Sequence, residues 1–174
     1  MPKCLYNPAV KDAIAYAREE ALNSGTLEIM PIHLLLGIVR LENNITATIL
    51  KNYKFNPDIV RKNILKGEKI NTDEKIPVTQ SSEFNLKNSA FETFLHQSNI
   101  IYPIHVLLTI LRYKNEEDMA YQYLKELNMD YDTIQEEFLK YPFSERGKYR
   151  QKLSKLFFNK ILTELNLSKF LAWV

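Results

Sequence analysis

A single cysteine, Cys4, stands in 174 residues. No internal disulfide can form, and a chain of this kind suits a reducing compartment. Glycine is scarce too, at four residues. No stretch alternates apolar and polar residues in the manner of a half-buried strand. No apolar run approaches the roughly 18 residues that a membrane span needs, and no charged start leads into an apolar segment of signal-peptide length. The expectation is a cytoplasmic, helical chain, long enough to bury a core without covalent staples.

Chemistry-bearing constellations are also missing. Three histidines and one cysteine offer no zinc-ligand spacing. There is no G-x-S-x-G elbow, and nothing near Cys4 would activate its thiol. A phosphate-cradling loop requires G-x-x-x-x-G-K-[ST]. The Gly147-Lys148 pair is followed by Tyr149, and position 142 is proline. The adjacent acids Glu19-Glu20 and Glu136-Glu137 project in different directions from a helix and are expected on solvated faces. The chain is therefore expected not to be an enzyme, and to bind neither cofactor nor metal.

What the chain does contain is a duplication. Pro31-Ile32-His33-Leu34-Leu35-Leu36-Gly37-Ile38-Val39-Arg40 returns as Pro103-Ile104-His105-Val106-Leu107-Leu108-Thr109-Ile110-Leu111-Arg112, at an offset of 72. Downstream, Ala47 and Leu50 correspond to Ala120 and Leu124, and Asn56-Pro57-Asp58 to Asp130-Tyr131-Asp132, with the offset drifting to 74. Units of roughly 60–65 residues exceed the common solenoid repeats, so two of them should close into one pseudo-twofold globule. Asn7-Pro8 marks a first helix ending near Gly25; Pro31 starts a second that is apolar nearly all round; Asn43 or Asn44 caps a third; Asn56-Pro57 opens a fourth. The expected fold class is all-α, a tandem of two four-helix units plus a C-terminal basic helix. The tandem domain should occupy 1–141, with repeats at about 5–66 and 81–141 and a linker at 67–80. Residues 142–174 should form the extension.

That extension stands apart in charge. Residues 1–139 carry 15 Lys and Arg against 19 Asp and Glu; residues 140–174 carry 8 against 2. Arg146, Lys148, Arg150, Lys152 and Lys155 cluster there on a helix expected from Lys148 to Leu165. It could approach nucleic acid or an anionic membrane, but the charge asymmetry favours docking on the acidic globule. His33 and His105 recur in register just inside proline-started helices, so a shared structural role bonding nearby backbone is expected of both. His96 has no evident counterpart.

The run Ala17-Arg18-Glu19-Glu20-Ala21-Leu22, then Gly25, then His33 to Arg40, resembles the N-terminal repeat of the Clp/Hsp100 unfoldases, most closely the ClpC type, over about residues 5–140. Tyr6-Asn7 sits where that family has an aromatic followed by Thr. The resemblance implies a non-catalytic recruitment module that binds a protein substrate, an adaptor or a Clp/Hsp100 ring, or a secretion-associated version of such a domain. It also implies that binding falls near Tyr6, Asn7, Pro31, Ile32, Pro103 and Ile104. ClpC-type domains place glutamate before each repeat histidine to hold phosphorylated arginine. Here those positions are Ile32 and Ile104, so that recognition should be lost, and apolar contact with a partner is expected instead.

Overall fold

The computed structural model describes residues 5–64, 67–96 and 98–141. The basic residues Arg146, Lys148, Arg150, Lys152 and Lys155, and the helix expected around them, lie outside the described residues.

Side-chain caps start most of the helices. Asn7 accepts from the Ala9 amide at 2.9 Å and opens α1 (Pro8–Asn23). Asn44 does the same for α3 (Ile45–Asn52), and Asn56 for α4 (Pro57–Ile59), which runs on as a π-helical stretch, Val60–Ile64. In the second half Thr79 caps α5 (Gln80–Leu95), Asp118 caps α7 (Met119–Glu126) and Asp130 caps α8 (Tyr131–Leu139). Each cap satisfies an amide that the helix cannot pair for itself. The two repeat-signature helices, α2 (Pro31–Val39) and α6 (Pro103–Tyr113), lack such a cap and solve the problem differently, as shown below. Helix α1 ends in a Schellman turn. Gly25 adopts φ +75°, and the Thr26 amide reaches back to the Ala21 carbonyl at 2.9 Å. Lys54 and Asn128, equivalent positions of the two copies, take the same left-handed conformation after α3 and α7.

Two short parallel pairings tie the halves together. Leu5–Tyr6 (β1) pairs with Ile100–Ile101 (β2), in the register Tyr6 to Ile101. Ile29 pairs with Val78. Adding the repeat offset of 72 to Tyr6 gives Val78, and adding it to Ile29 gives Ile101, so each pairing is the image of the other. Their hydrogen bonds match as well: Asn7 N–H to Ile101 O at 2.9 Å, and Thr79 N–H to Ile29 O at 3.0 Å. Each copy thus lends the segment before its first helix to the segment before the other copy's second helix. This exchange is the approximate dyad.

Helices α2 and α6 lie at the centre, and every residue from Pro31 to Val39 and from Pro103 to Leu111 is buried. Helix α2 packs on α1 and α3 of its own copy and on α5 and α7 of the other; α6 packs on α5, α7 and α8 and on α1 and α3. The crossing of α1 and α2 is the tighter of the two first-to-second-helix contacts. A methyl group on Gly37 would stand 2.1 Å from the Ala13 carbonyl oxygen. The second copy has Thr109 at this position, and its α5–α6 crossing is more open. The segment expected as a linker lies along α1: Arg18 Nη2 donates to the carbonyls of Thr72 and Glu74 at 3.1 and 2.8 Å.

Candidate functional site

The conserved pattern of the two copies explains itself once the ends of α2 and α6 are examined. His33 is the third residue of its helix, and its Nδ1 accepts the Met30 amide at 3.1 Å. His105 Nδ1 accepts the Tyr102 amide at the same distance. Each ring performs the capping that glutamate or glutamine performs in a capping box. The neutral ring must then carry its proton on Nε2. In the first copy Nε2 meets the Ser24 hydroxyl at 3.2 Å. In the second, Nε2 of His105 has no hydrogen-bond partner among the described residues. His96, equivalent to Ser24, stacks on the His105 ring at 5.6 Å. It therefore has a counterpart, which spacing alone concealed because the residue type differs. Burial pushes His33 down to about 4, against the pull of Glu20. Burial pushes His105 down to about 3, with His96 acting in the same direction. Both histidines have the shared structural role that their register implied.

The closing arginine of each signature has its own partner. Glu20 is 4 % exposed and accepts two bonds at 2.9 Å from Arg61, with Arg40 at 3.3 Å. Burial opposes its charge, but Arg61 and Arg40 outweigh burial and hold its carboxyl below the usual range. Glu92, in the equivalent place, is bonded by Arg112 and by Tyr131, which also bond each other. The expectation of a solvated Glu19-Glu20 pair holds for Glu19 alone. Glu20 turns inward because the arginine twenty residues on is aimed at it.

Of the residues expected at a binding surface, Ile32 is fully buried and Ile104 is 2 % exposed. Pro31 and Pro103 are buried with them. Ile32 cannot touch a partner in this fold, and its expected contact role is corrected accordingly. The first turns of α2 and α6 belong to central helices that are packed by helices of both copies. Tyr6 and Asn7 are more open. The Tyr6 hydroxyl donates to the Leu86 carbonyl at 3.1 Å, while the Asn7 side chain is committed to its cap.

Three of the six nevertheless meet in one place. A groove of about 610 Å³ runs between the halves. One wall comes from Asn7 and Ala9 at the start of α1 and from residues 42–46 and Thr48 around the start of α3; the other comes from Tyr102 and Pro103. Ile104, Phe138 and Tyr141 line it as well. Glu42, Asn43 and Thr48 are its exposed residues on the first copy. Sequence spacing marked Asn43 or Asn44 as the cap of α3, which is Asn44, and gave no sign of Thr48 or Tyr141, because the groove forms only when the two copies close on each other. Tyr6, Pro31 and Ile32 do not line it. Among the described residues no group of three His, Cys, Asp or Glu could hold a metal ion, and no helix is long and apolar enough to cross a membrane.

The model of the Clp repeat N-terminal domain family matches residues 5–111. No curated protein matches the sequence. Among the solved structures that share the fold are these two. One comes from preliminary structural investigations of a malarial protein secretion system. It has a TM-score of 0.61 and 16 % identity, over 75 % of this chain and 90 % of that one. The other is the N-terminal domain of the caseinolytic protease associated chaperone ClpD from Arabidopsis thaliana. It has a TM-score of 0.58 and 14 % identity, over 76 % of this chain and 93 % of that one.

Proposed function

The chain belongs to the Clp repeat N-terminal domain family, and from that premise we propose that it is a non-catalytic recruitment module that seats a protein substrate or adaptor of a Clp/Hsp100 machine in the groove between its halves. The observation that carries this reading is the groove itself. It is about 610 Å³ in volume, lies within the usual range for ligand sites and is walled by both copies. Asn7, Pro103 and Ile104 contribute to it directly, and Tyr6 lies on the strand that leads into it. The likeness to ClpC-type domains belongs to the same proposal, with the difference that Ile32 and Ile104 leave no carboxylate for phosphoarginine at either repeat histidine. The division into repeats at 5–66 and 81–141, with 142–174 as a separate basic extension, is also part of it.

Thr48 supplies the test. It is exposed on the groove wall, so Thr48→Trp fills the groove without disturbing the core. Partners retained by the full chain in a pulldown should be lost with Thr48→Trp, and should persist as salt is raised. A photo-crosslinker at position 48 should capture them, while one at exposed Lys87 should not. Unchanged retention by Thr48→Trp would refute the reading. Retention that vanishes with salt, and on replacing Arg146, Lys148, Arg150, Lys152 and Lys155 by glutamine, would instead favour a surface binder working through the basic extension.

A further inference from the structure

The second copy carries a smaller pocket, about 300 Å³ in volume, between α5 and the turn that joins α6 to α7. Its walls are aromatic. Phe84 and Tyr113 meet edge to face with centroids 4.7 Å apart, and Tyr121 completes the lining. Asp118 stands at the same pocket. Its carboxylate accepts from the Ser81 hydroxyl at 2.8 Å and from the Ala120 amide at 2.8 Å, both neutral donors, so no cation of the described residues balances its charge. The turn around it, Lys114-Asn115-Glu116-Glu117-Asp118, is acidic. Glu116 is paired with Lys125, which leaves Lys114 as the cation of the turn. Glu117 and Asp118 together outweigh it, so the rim keeps net negative charge.

Asn85 provides an independent sign of a ligand. It lines the pocket at 5 % exposure, its amide makes no hydrogen bond among the described residues, and its polar atoms are not sealed from solvent, so they open into the pocket. An amide open to a binding-sized space offers a bound group both a donor and an acceptor. Its equivalent in the first copy is Ala13, which packs against the Gly37 backbone. The change to Asn85 accompanies the change of Gly37 to Thr109 that leaves this crossing open.

We propose that this pocket receives one cationic side chain, a lysine or arginine, of a bound partner polypeptide. Ring faces attract a cation, Asp118 supplies the counter-charge, and the Asn85 carbonyl accepts one of the N–H groups. A pocket of about 300 Å³ sits at the lower end of the range for whole ligands and suits a single side chain. The site is separate from the groove between the halves, and neither assignment depends on the other.

The probes are acetylated, amidated Gly-Arg-Gly and Gly-Lys-Gly, titrated into the isotope-labelled full chain, with citrulline and norleucine versions as neutral controls. The cationic peptides should bind at millimolar concentration and shift the Asn85 side-chain amide. Asp118→Asn keeps the α7 cap and removes the charge, so binding should weaken about five- to tenfold. Phe84→Ala should weaken it similarly, and Thr48→Trp should leave it unchanged. Equal binding of the neutral peptides would overturn the proposal, as would a full-strength response in Asp118→Asn. Binding that shows only after Arg146, Lys148, Arg150, Lys152 and Lys155 are replaced by glutamine would mean that the chain fills the pocket itself, which would overturn the assignment to a partner. Should Phe84→Ala not fold, the Asp118→Asn comparison decides alone.

Discussion

Two neutral histidines held in the core make the stability of this fold fall as the solution becomes acid, and the size of the fall can be worked out. In the unfolded chain His33 and His105 titrate near the ordinary histidine value of 6.5; in the folded chain they are pushed down to about 4 and about 3. Between those values the unfolded state binds protons that the folded state refuses, so stability decreases as pH decreases. At pH 5 each histidine lies about 1.5 pH units below its unfolded value. At about 1.4 kcal/mol per unit this costs about 2 kcal/mol each, or about 4 kcal/mol for the pair relative to pH 7.5. The carboxylate of Glu20 opposes nothing in this window, because its folded value is itself held low by Arg61 and Arg40 and its loss begins only below about pH 4.5. Urea titrations at pH 7.5 and pH 5 measure the difference. Replacing both histidines by glutamine keeps an acceptor for the Met30 and Tyr102 amides and removes the titration. The paired variant should therefore lose most of the pH dependence even if it is less stable at pH 7.5. A wild-type midpoint that does not move between the two pH values would refute the argument.

Four substitutions read out the packing. Gly37→Ala drives a methyl group into the Ala13 carbonyl, an atom that cannot rotate away. It should destabilise by about 1–3 kcal/mol even after the gain of about 1 kcal/mol in helix propensity, as read by thermal unfolding. Arg112→Leu strands the buried Glu92 carboxylate with Tyr131 as its remaining partner and should cost about 3–5 kcal/mol in chemical denaturation. Arg40→Leu should cost less, because Arg61 still holds Glu20 through two bonds. Asn44→Ala removes the acceptor for the Thr46 amide and should lower stability by about 1 kcal/mol, with the groove wall at residues 42–48 loosening in hydrogen exchange.

The helices were legible because their causes are local. Asn7, Asn56 and the proline starts announce the first turns, and the unbroken apolar runs after Pro31 and Pro103 announce the buried centre. The exchanged strand pairings were not legible. Leu5–Tyr6 and Ile100–Ile101 are two residues each, too short to show alternation, and they pair only because the halves close on each other. The inward turn of Glu20 escaped for a similar reason: its partners lie 20 and 41 residues away. At the site, proximity to the ends of α2 and α6 was the right neighbourhood, but Ile32 is inside. Which side chains reach solvent depends on what the other copy lays over them. An Ile32→Glu change would bury a charge and unfold the chain before it reported on any partner.

The two copies diverge where their shared constraints end. The histidine cap, the buried glutamate with its arginine and the strand exchange recur in both because each satisfies a polar group that would otherwise be buried unpaired. Gly37 and Thr109 differ, and with them Ala13 and Asn85. In the first copy, the pair of helices closes backbone to backbone at Gly37; in the second, Thr109 stands there and the crossing is looser, while polar and aromatic side chains line a pocket toward the α6–α7 turn. A perfectly repeated domain would present every cavity twice. This one places its larger groove off the dyad, because Asn7, Pro103 and Ile104 line it while their images Thr79, Pro31 and Ile32 do not, and it carries an acid-lined pocket on the second copy.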